Sequence, residues 1–157
     1  MTIYLRPIYI SDIEEIYKIK KNNNNWIYTP TKKKFETRTL IDEIKWWNSL
    51  SCETNTIRFA ICLHKNNKII GSTILSEIDY INKTSEFHIY IDELYKGNGY
   101  GKESMKLILQ YAKDIVKLKS INLNVHKDNI IAQNLYKKMN FVLIDDKDLF
   151  YKFNLNL

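Results

Sequence analysis

Glu86 and His88 stand two positions apart in the β-type run Thr84-Ser85-Glu86-Phe87-His88-Ile89-Tyr90-Ile91. Alternation along a strand puts Glu86, His88 and Tyr90 on one face and Phe87, Ile89 and Ile91 on the other. A carboxylate beside an imidazole is unusual for a wholly buried face and suits proton transfer. Glu86 is therefore the candidate general base and His88 a candidate substrate contact. Glu77, near the end of the preceding strand, is the second candidate carboxylate. A strand-face salt bridge accounts for the same residues equally well at this level.

Directly after this run, Tyr95-Lys96-Gly97-Asn98-Gly99-Tyr100-Gly101 places three of the chain's four glycines at alternating positions. Glycine admits φ > 0 and lets peptide N–H groups approach a ligand with no Cβ in the way. Where such a turn opens a helix, the unpaired N–H groups and the positive end of the helix dipole meet an anion. The expected guest is a pyrophosphate, held by the backbone from Gly97 through Gly101, including Asn98, Gly99 and Tyr100, with charge from Lys96 and Lys102. The spacing fits neither the dinucleotide fingerprint G-x-G-x-x-G nor the P-loop G-x-x-x-x-G-K-[ST].

The later segment from His126 to Phe141 reads as a strand end, a cap and a short helix. Together the two segments resemble the GNAT superfamily of acyl-CoA-dependent N-acyltransferases. That family's loop reads (Arg/Gln)-x-x-Gly-x-(Gly/Ala), and its later segment reads Asn-x-x-Ala-x-x-x-Tyr-x-x-x-Gly-Phe. Lys96, Gly99 and Gly101 match the first, with Lys where Arg or Gln is usual; Asn129, Ala132, Tyr136 and Phe141 match the second, with Asn140 in place of the glycine. Lys96 keeps the charge without the planar fork, and Asn140 is tolerant of φ > 0.

The resemblance implies acetyl-CoA as the coenzyme and a mixed, mostly antiparallel twisted sheet flanked by about four helices, with strands 4 and 5 splayed. The pantetheine arm would fill the gap, its amides paired by the backbone near Ile89 and Ile91 and its far side met by Asn129, Ala132 and Tyr136. The implied reaction is attack of a neutral amine on the thioester. The Tyr136 hydroxyl would lie beside the sulfur as the acid, with plain packing in a helix core as the alternative. For the base, Glu86 and a water chain both remain open.

The element order follows from periodicity and breakers. Ile3 to Pro7 reads as a strand, and Ser11-Asp12-Ile13-Glu14 as a capping box that opens a helix running to about Lys20. A second helix starts near Thr37 and ends near Ser49, with Leu40, Ile41, Ile44 and Trp47 expected in the core. Ile57 to Leu63, Lys68 to Ile78 and Thr84 to Ile91 read as an antiparallel meander. Glu103 to Val116 is amphipathic, Ile121 to Val125 a strand, Ile130 to Lys138 a helix, and Phe141 to Phe153 a hairpin turning at Asp145-Asp146.

Length and composition bound the rest. With 157 residues and 45% apolar content, one domain spanning 1–157 is expected. No apolar run approaches the ~20 residues of a membrane span, and the start lacks a signal peptide's order, so a cytoplasmic protein without membrane contact is expected. Two cysteines and three histidines show no metal-ligand spacing and no disulfide framework. Cys62 reads as a buried strand residue and Cys52 as a loop thiol. No recognition helix or aromatic RNA-binding strand is visible, and no nucleic-acid partner is expected. A homodimer is compatible with the sequence but not required by it.

The resemblance implies a small-molecule amine as the acceptor. In the GNAT family its pocket is built by the first two helices and the loops around them, which here include Trp26, Tyr28 and Lys32. The chain is similar to amino-sugar, spermidine and ribosomal-protein N-terminal acetyltransferase branches. A net charge of +6, with Lys32, Lys33, Lys34 and Arg38 in this region, favours an anionic acceptor. That points to an amino-sugar nucleotide, with a polyamine, a protein N-terminus, or a non-catalytic acyl-CoA sensor as alternatives.

Overall fold

Seven strands form one sheet in the order β1-β2-β3-β4-β5-β7-β6 in the computed structural model, which describes residues 1–22 and 37–157. The strands are β1 (Ile3–Pro7), β2 (Ile57–Leu63), β3 (Ile69–Asp79), β4 (Thr84–Ile91), β5 (Ser120–His126), β6 (Val142–Lys147) and β7 (Phe150–Asn156). Four α-helices among the described residues flank it: α1 (Ile13–Lys21), α2 (Leu40–Ser49), α3 (Tyr100–Asp114) and α4 (Ile130–Lys138). The expected α/β architecture is the one observed.

Every neighbouring pair is antiparallel except β4 and β5. Parallel neighbours need a crossover, and α3 provides it. The parallel pairing covers only Thr84–Ser120, Ser85–Ile121 and Glu86–Asn122. Beyond it β4 continues to Ile91 paired with β3, and β5 continues to His126 paired with β7. The splay therefore opens immediately past Glu86, where the ladder pairing between β4 and β5 ends.

The alternation read from the sequence places the two faces of β4 correctly. Phe87 joins a core of Leu75, Met105, Ile108, Leu123, Phe141 and Phe153 built with α3 and α4. On the other face α1 sets Ile16 and Ile19 against Ala60, Cys62 and Ile69, with Tyr90 packed alongside. Full burial of one such aliphatic or aromatic side chain is worth ~1.5–3 kcal/mol.

Three local expectations are overturned. In α2, Ile41 is 64% exposed and Ile44 is also exposed, while the buried residue of the helix is Glu43. That helix is anchored by charge rather than by its apolar stripe. The Ser11–Glu14 box gives way to a 3-10 turn, Ile10–Asp12, in which Asp12 accepts the Tyr9 N–H at 2.8 Å and the Arg6 guanidinium at 2.6 and 2.9 Å. Asp145 and Asp146 lie inside β6, and the hairpin turns after it, where Asp148 takes φ +44°. Aspartate tolerates that conformation through its short polar side chain.

Candidate active site

The glycine turn is built as an anion cradle. Asp92 anchors its entry, donating its N–H to the Ile70 carbonyl at 2.8 Å and accepting the Leu94 N–H at 3.2 Å. Gly97 and Gly99 adopt φ +78° and +82°, and Gly99 is the N-cap of α3. The Asn98 amide ties the turn by donating to the Tyr95 and Lys96 carbonyls. The first hydrogen bond of α3 runs from Glu103 N–H to the Gly99 carbonyl, so the N–H groups ahead of it face the loop.

The acid in that first turn is drawn away: Glu103 accepts the Thr2 N–H at 2.6 Å and the Thr2 hydroxyl at 2.5 Å. Lys96 is ion-paired with Glu93. Tyr100, Gly101 and Lys102 sit in the helix itself rather than in the loop. Two left-handed glycines, an open helix N-terminus and the adjoining gap between β4 and β5 fit the pyrophosphate and pantetheine of acetyl-CoA.

At the closed end of that gap lies a polar cluster. Glu86 Oε1 accepts from the Asn124 amide at 3.1 Å and lies 3.7 Å from His88 Nε2. His88 Nε2 is 2.8 Å from Ser76 Oγ. Glu77 joins them at a bulge, where the β3–β4 register breaks between Ser76 and Asp79 and Glu77 takes φ +51°. Burial holds the His88 imidazole below its ordinary value, against the opposing pull of Glu86 and Glu77. The structure thus brings together Glu86, His88 and Glu77, and adds Ser76 and Asn124, which the sequence reading missed.

Tyr136 stands on the other side of β4, in the core with Phe87 and Leu123. Its ring centroid is 6.0 Å from that of Phe141 and 6.5 Å from that of Phe153. No hydrogen bond reaches its hydroxyl among the described residues, and burial pushes the phenol up to about 12. Glu86 and Tyr136 therefore lie on opposite faces of the sheet. Asn129 caps α4, its side chain accepting the Ala132 N–H at 3.2 Å, and Asn140 adopts φ +65° where the family glycine would stand.

A second charged cluster lies where α1 and α2 meet the sheet. Lys20 Nζ is 2.7 Å from Glu43 Oε1, and Arg38 Nε is 3.3 Å from Glu43 Oε2. The cations of Lys20, Arg38 and Arg58 lie 5.2, 5.0 and 5.5 Å from the Trp46 ring centroid. The Trp47 indole donates to Glu43 at 3.3 Å. Both tryptophans are engaged by the protein's own charges. Trp26, Tyr28 and Lys32 lie outside the described residues. Among the described residues no group of three or more His, Cys, Asp or Glu is placed to hold a metal ion, and both cysteines are free.

Residues 2–142 match the family model described as "Acetyltransferase (GNAT) domain". Spermidine N(1)-acetyltransferase of Vibrio cholerae serotype O1 is 28% identical over 141 residues, covering 88% of this chain and 78% of that protein. Acetyltransferase PseH of Campylobacter jejuni is 37% identical over 83 residues, covering 50% of this chain and 51% of that one. Among solved structures, spermidine N-acetyltransferase from Vibrio cholerae in complex with CoA and spermine superposes with a TM-score of 0.87 at 22% identity, over 99% of this chain and 95% of that one.

Proposed function

Because this chain belongs to the GNAT acetyltransferase family, an acetyl-CoA-dependent N-acyltransferase family, we propose that it acetylates a primary amine of an aliphatic polyamine. The observation that carries this reading is the pair of carboxylates, Glu86 and Glu77, set beside His88 at the closed end of the gap. A polycationic amine is drawn to that end. The spermidine acetyltransferases among the relatives support it over the amino-sugar nucleotide favoured by net charge alone.

Acetyl-CoA, when bound, supplies the thioester whose carbonyl carbon the amine attacks. The N–H groups from Gly97 through Gly101 and the ammonium groups of Lys96 and Lys102 hold its phosphates. Backbone groups near Ile89 and Ile91, with Asn129 and Ala132, line the arm. Glu86 takes the proton from the acceptor ammonium, leaving a neutral amine. Tyr136, protonated at neutral pH, offers its hydroxyl hydrogen to the departing sulfur. The protein acts as one domain, in the cytoplasm, and a homodimer or larger assembly is compatible with it; one structural neighbour is dodecameric.

A second reading, an amino-sugar nucleotide acceptor, is favoured by one observation: Lys20, Arg38 and Arg58 converge on Trp46. Thiol release from acetyl-CoA, followed with spermidine, spermine, UDP- and dTDP-amino sugars, aminoglycosides and peptides with free N-termini, separates the two. Turnover with the polyamines supports the first reading. Turnover confined to the nucleotide sugars replaces it with the second.

A further inference from the structure

We propose that His88 carries the acceptor's proton from Glu86 to solvent, and that Ser76 and Asn124 are positioning residues that hold this pair in register. The proposal rests on Glu86 as the base.

The geometry is specific about which atoms take part. Glu86 Oε1 and Ser76 Oγ converge on the same ring nitrogen of His88, Nε2, at 3.7 and 2.8 Å. The opposite nitrogen, Nδ1, belongs to a side chain that is 47% exposed. When Glu86 closes from 3.7 Å to hydrogen-bond reach of Nε2 and the Ser76 hydroxyl turns from donating to accepting, a proton taken by Glu86 from an ammonium passes to Nε2, and the imidazolium releases one from Nδ1 to water. One proton enters, one leaves, and Glu86 is again a carboxylate; proton exchange with water then returns the ring from the Nε2–H to the Nδ1–H tautomer.

Asn124 gives Glu86 a fixed place from across the splay. Its amide reaches from β5 to a β4 carboxylate at the point where the backbone ladder between those strands ends, Glu86–Asn122. A side-chain strut thus takes over where the sheet stops holding the strands together. On the other flank, the bulge in β3 sets Ser76 and Glu77 beside His88 while Glu77 is held at φ +51°. A left-handed conformation at a residue other than glycine is strained. Strain of that kind gathers where position matters.

The charged groups facing His88 are Glu86 on its own strand, Glu77 on β3 and Arg58 on β2, while β5 presents the uncharged Asn124. The two carboxylates steady an imidazolium once formed. Partial burial and Arg58 pull the other way, holding the imidazole below its ordinary value.

The test uses the full chain and two readouts. Rates measured across pH with the best amine should show an acid limb in the wild type. His88→Gln should lower kcat about tenfold at neutral pH with the amine KM unchanged and should remove that limb; Ser76→Ala should shift the limb. Independently, the His88 imidazole titration followed by NMR should move to lower pH in Glu86→Gln, because a carboxylate that favours the charged ring is gone.

A His88→Gln enzyme with the wild-type rate and profile overturns the proposal, and so does a His88 titration indifferent to Glu86→Gln. If no amine is acetylated, the functional reading fails on its own, and the titration still decides whether Glu86 and His88 are coupled. Thermal melts on each variant exclude loss of fold as the cause.

Discussion

The Lys20 ammonium and the Glu43 carboxylate lie 2.7 Å apart with side chains only 10% and 0% exposed, joining α1 to α2 through a buried ion pair. Burial lowers the Lys20 pKa, and Glu43 opposes that fall by charge and hydrogen bond. No hydrogen bond reaches Glu43 Oε2 among the described residues, so Arg38 Nε at 3.3 Å meets its charge.

Removing one partner leaves the other charged and dry. Glu43→Ala should destabilise the protein by ~3–5 kcal/mol, read as a shift in the urea midpoint. Replacing both partners with apolar residues, Lys20→Met with Glu43→Leu, should recover most of that loss, because the cost is the orphaned charge rather than the missing attraction. A double variant as unstable as the single would show that shape, not charge, holds α2 in place.

Tyr136→Phe keeps the ring among Phe141 and Phe153 and removes only the hydroxyl. With no hydrogen bond to that hydroxyl among the described residues, the fold should lose little. A fall in kcat of ~10²-fold or more with an unchanged coenzyme Kd is expected if the hydroxyl serves the sulfur. Since burial pushes the phenol up to about 12, its ionisation should leave the rate profile flat through pH 9. Wild-type kcat in the variant would return Tyr136 to a packing role.

The glycine turn and the Asn129-to-Phe141 segment were legible because their chemistry is local: backbone conformations and a cap set within a few residues. The closed end of the gap was legible only in part. Glu86 and His88 share one strand, whereas Asn124 meets Glu86 from 38 residues away and Ser76 meets His88 from 12 away. Nothing in either residue's neighbourhood marks the meeting, which depends on the bulge in β3 and on where the β4–β5 ladder ends. In α2 the periodicity of Leu40, Ile41, Ile44 and Trp47 identified a face but not its destination. Lys20, on another helix, decided that Glu43 would go inside.

Acid should weaken the protein through Asp12. The Arg6 guanidinium holds the Asp12 carboxyl below the usual carboxylate value, against burial and with help from the Tyr9 N–H. The folded state therefore binds that proton more weakly than the unfolded chain, whose aspartate titrates near pKa ~3.9. The stabilisation is present above that value and is lost as pH falls through the folded one. Asp12→Asn should lower stability by a constant amount between about pH 6 and 8, and the gap should begin to narrow only below about pH 4, as pH falls toward the depressed folded value. Urea titrations at each pH measure it.

Gly99 and Gly71 make different predictions for the same change. A Cβ on Gly99 would meet no atom within 4 Å, but its φ of +82° is one that alanine adopts only with strain. Gly99→Ala should cost ~1–2 kcal/mol, and since Gly99 caps α3 and shapes the cradle, the cost should be felt in coenzyme binding. About a tenfold rise in the acetyl-CoA Kd corresponds to 1.4 kcal/mol. Gly71 is different, because its Cβ would lie 2.3 Å from the Tyr90 carbonyl oxygen and 3.1 Å from the Ile91 Cα. Backbone cannot swing aside as a side chain can, so Gly71→Ala must push β3 from β4 along their pairing at Gly71–Ile91. It should lower the urea midpoint by more than Gly99→Ala does, and displace the strand whose other edge faces the gap. Calorimetric titration of coenzyme with both variants, beside their unfolding curves, separates the two. A Gly99→Ala protein with native affinity would mean that the cradle relaxes around the new side chain and that the left-handed turn is not what binds the phosphates.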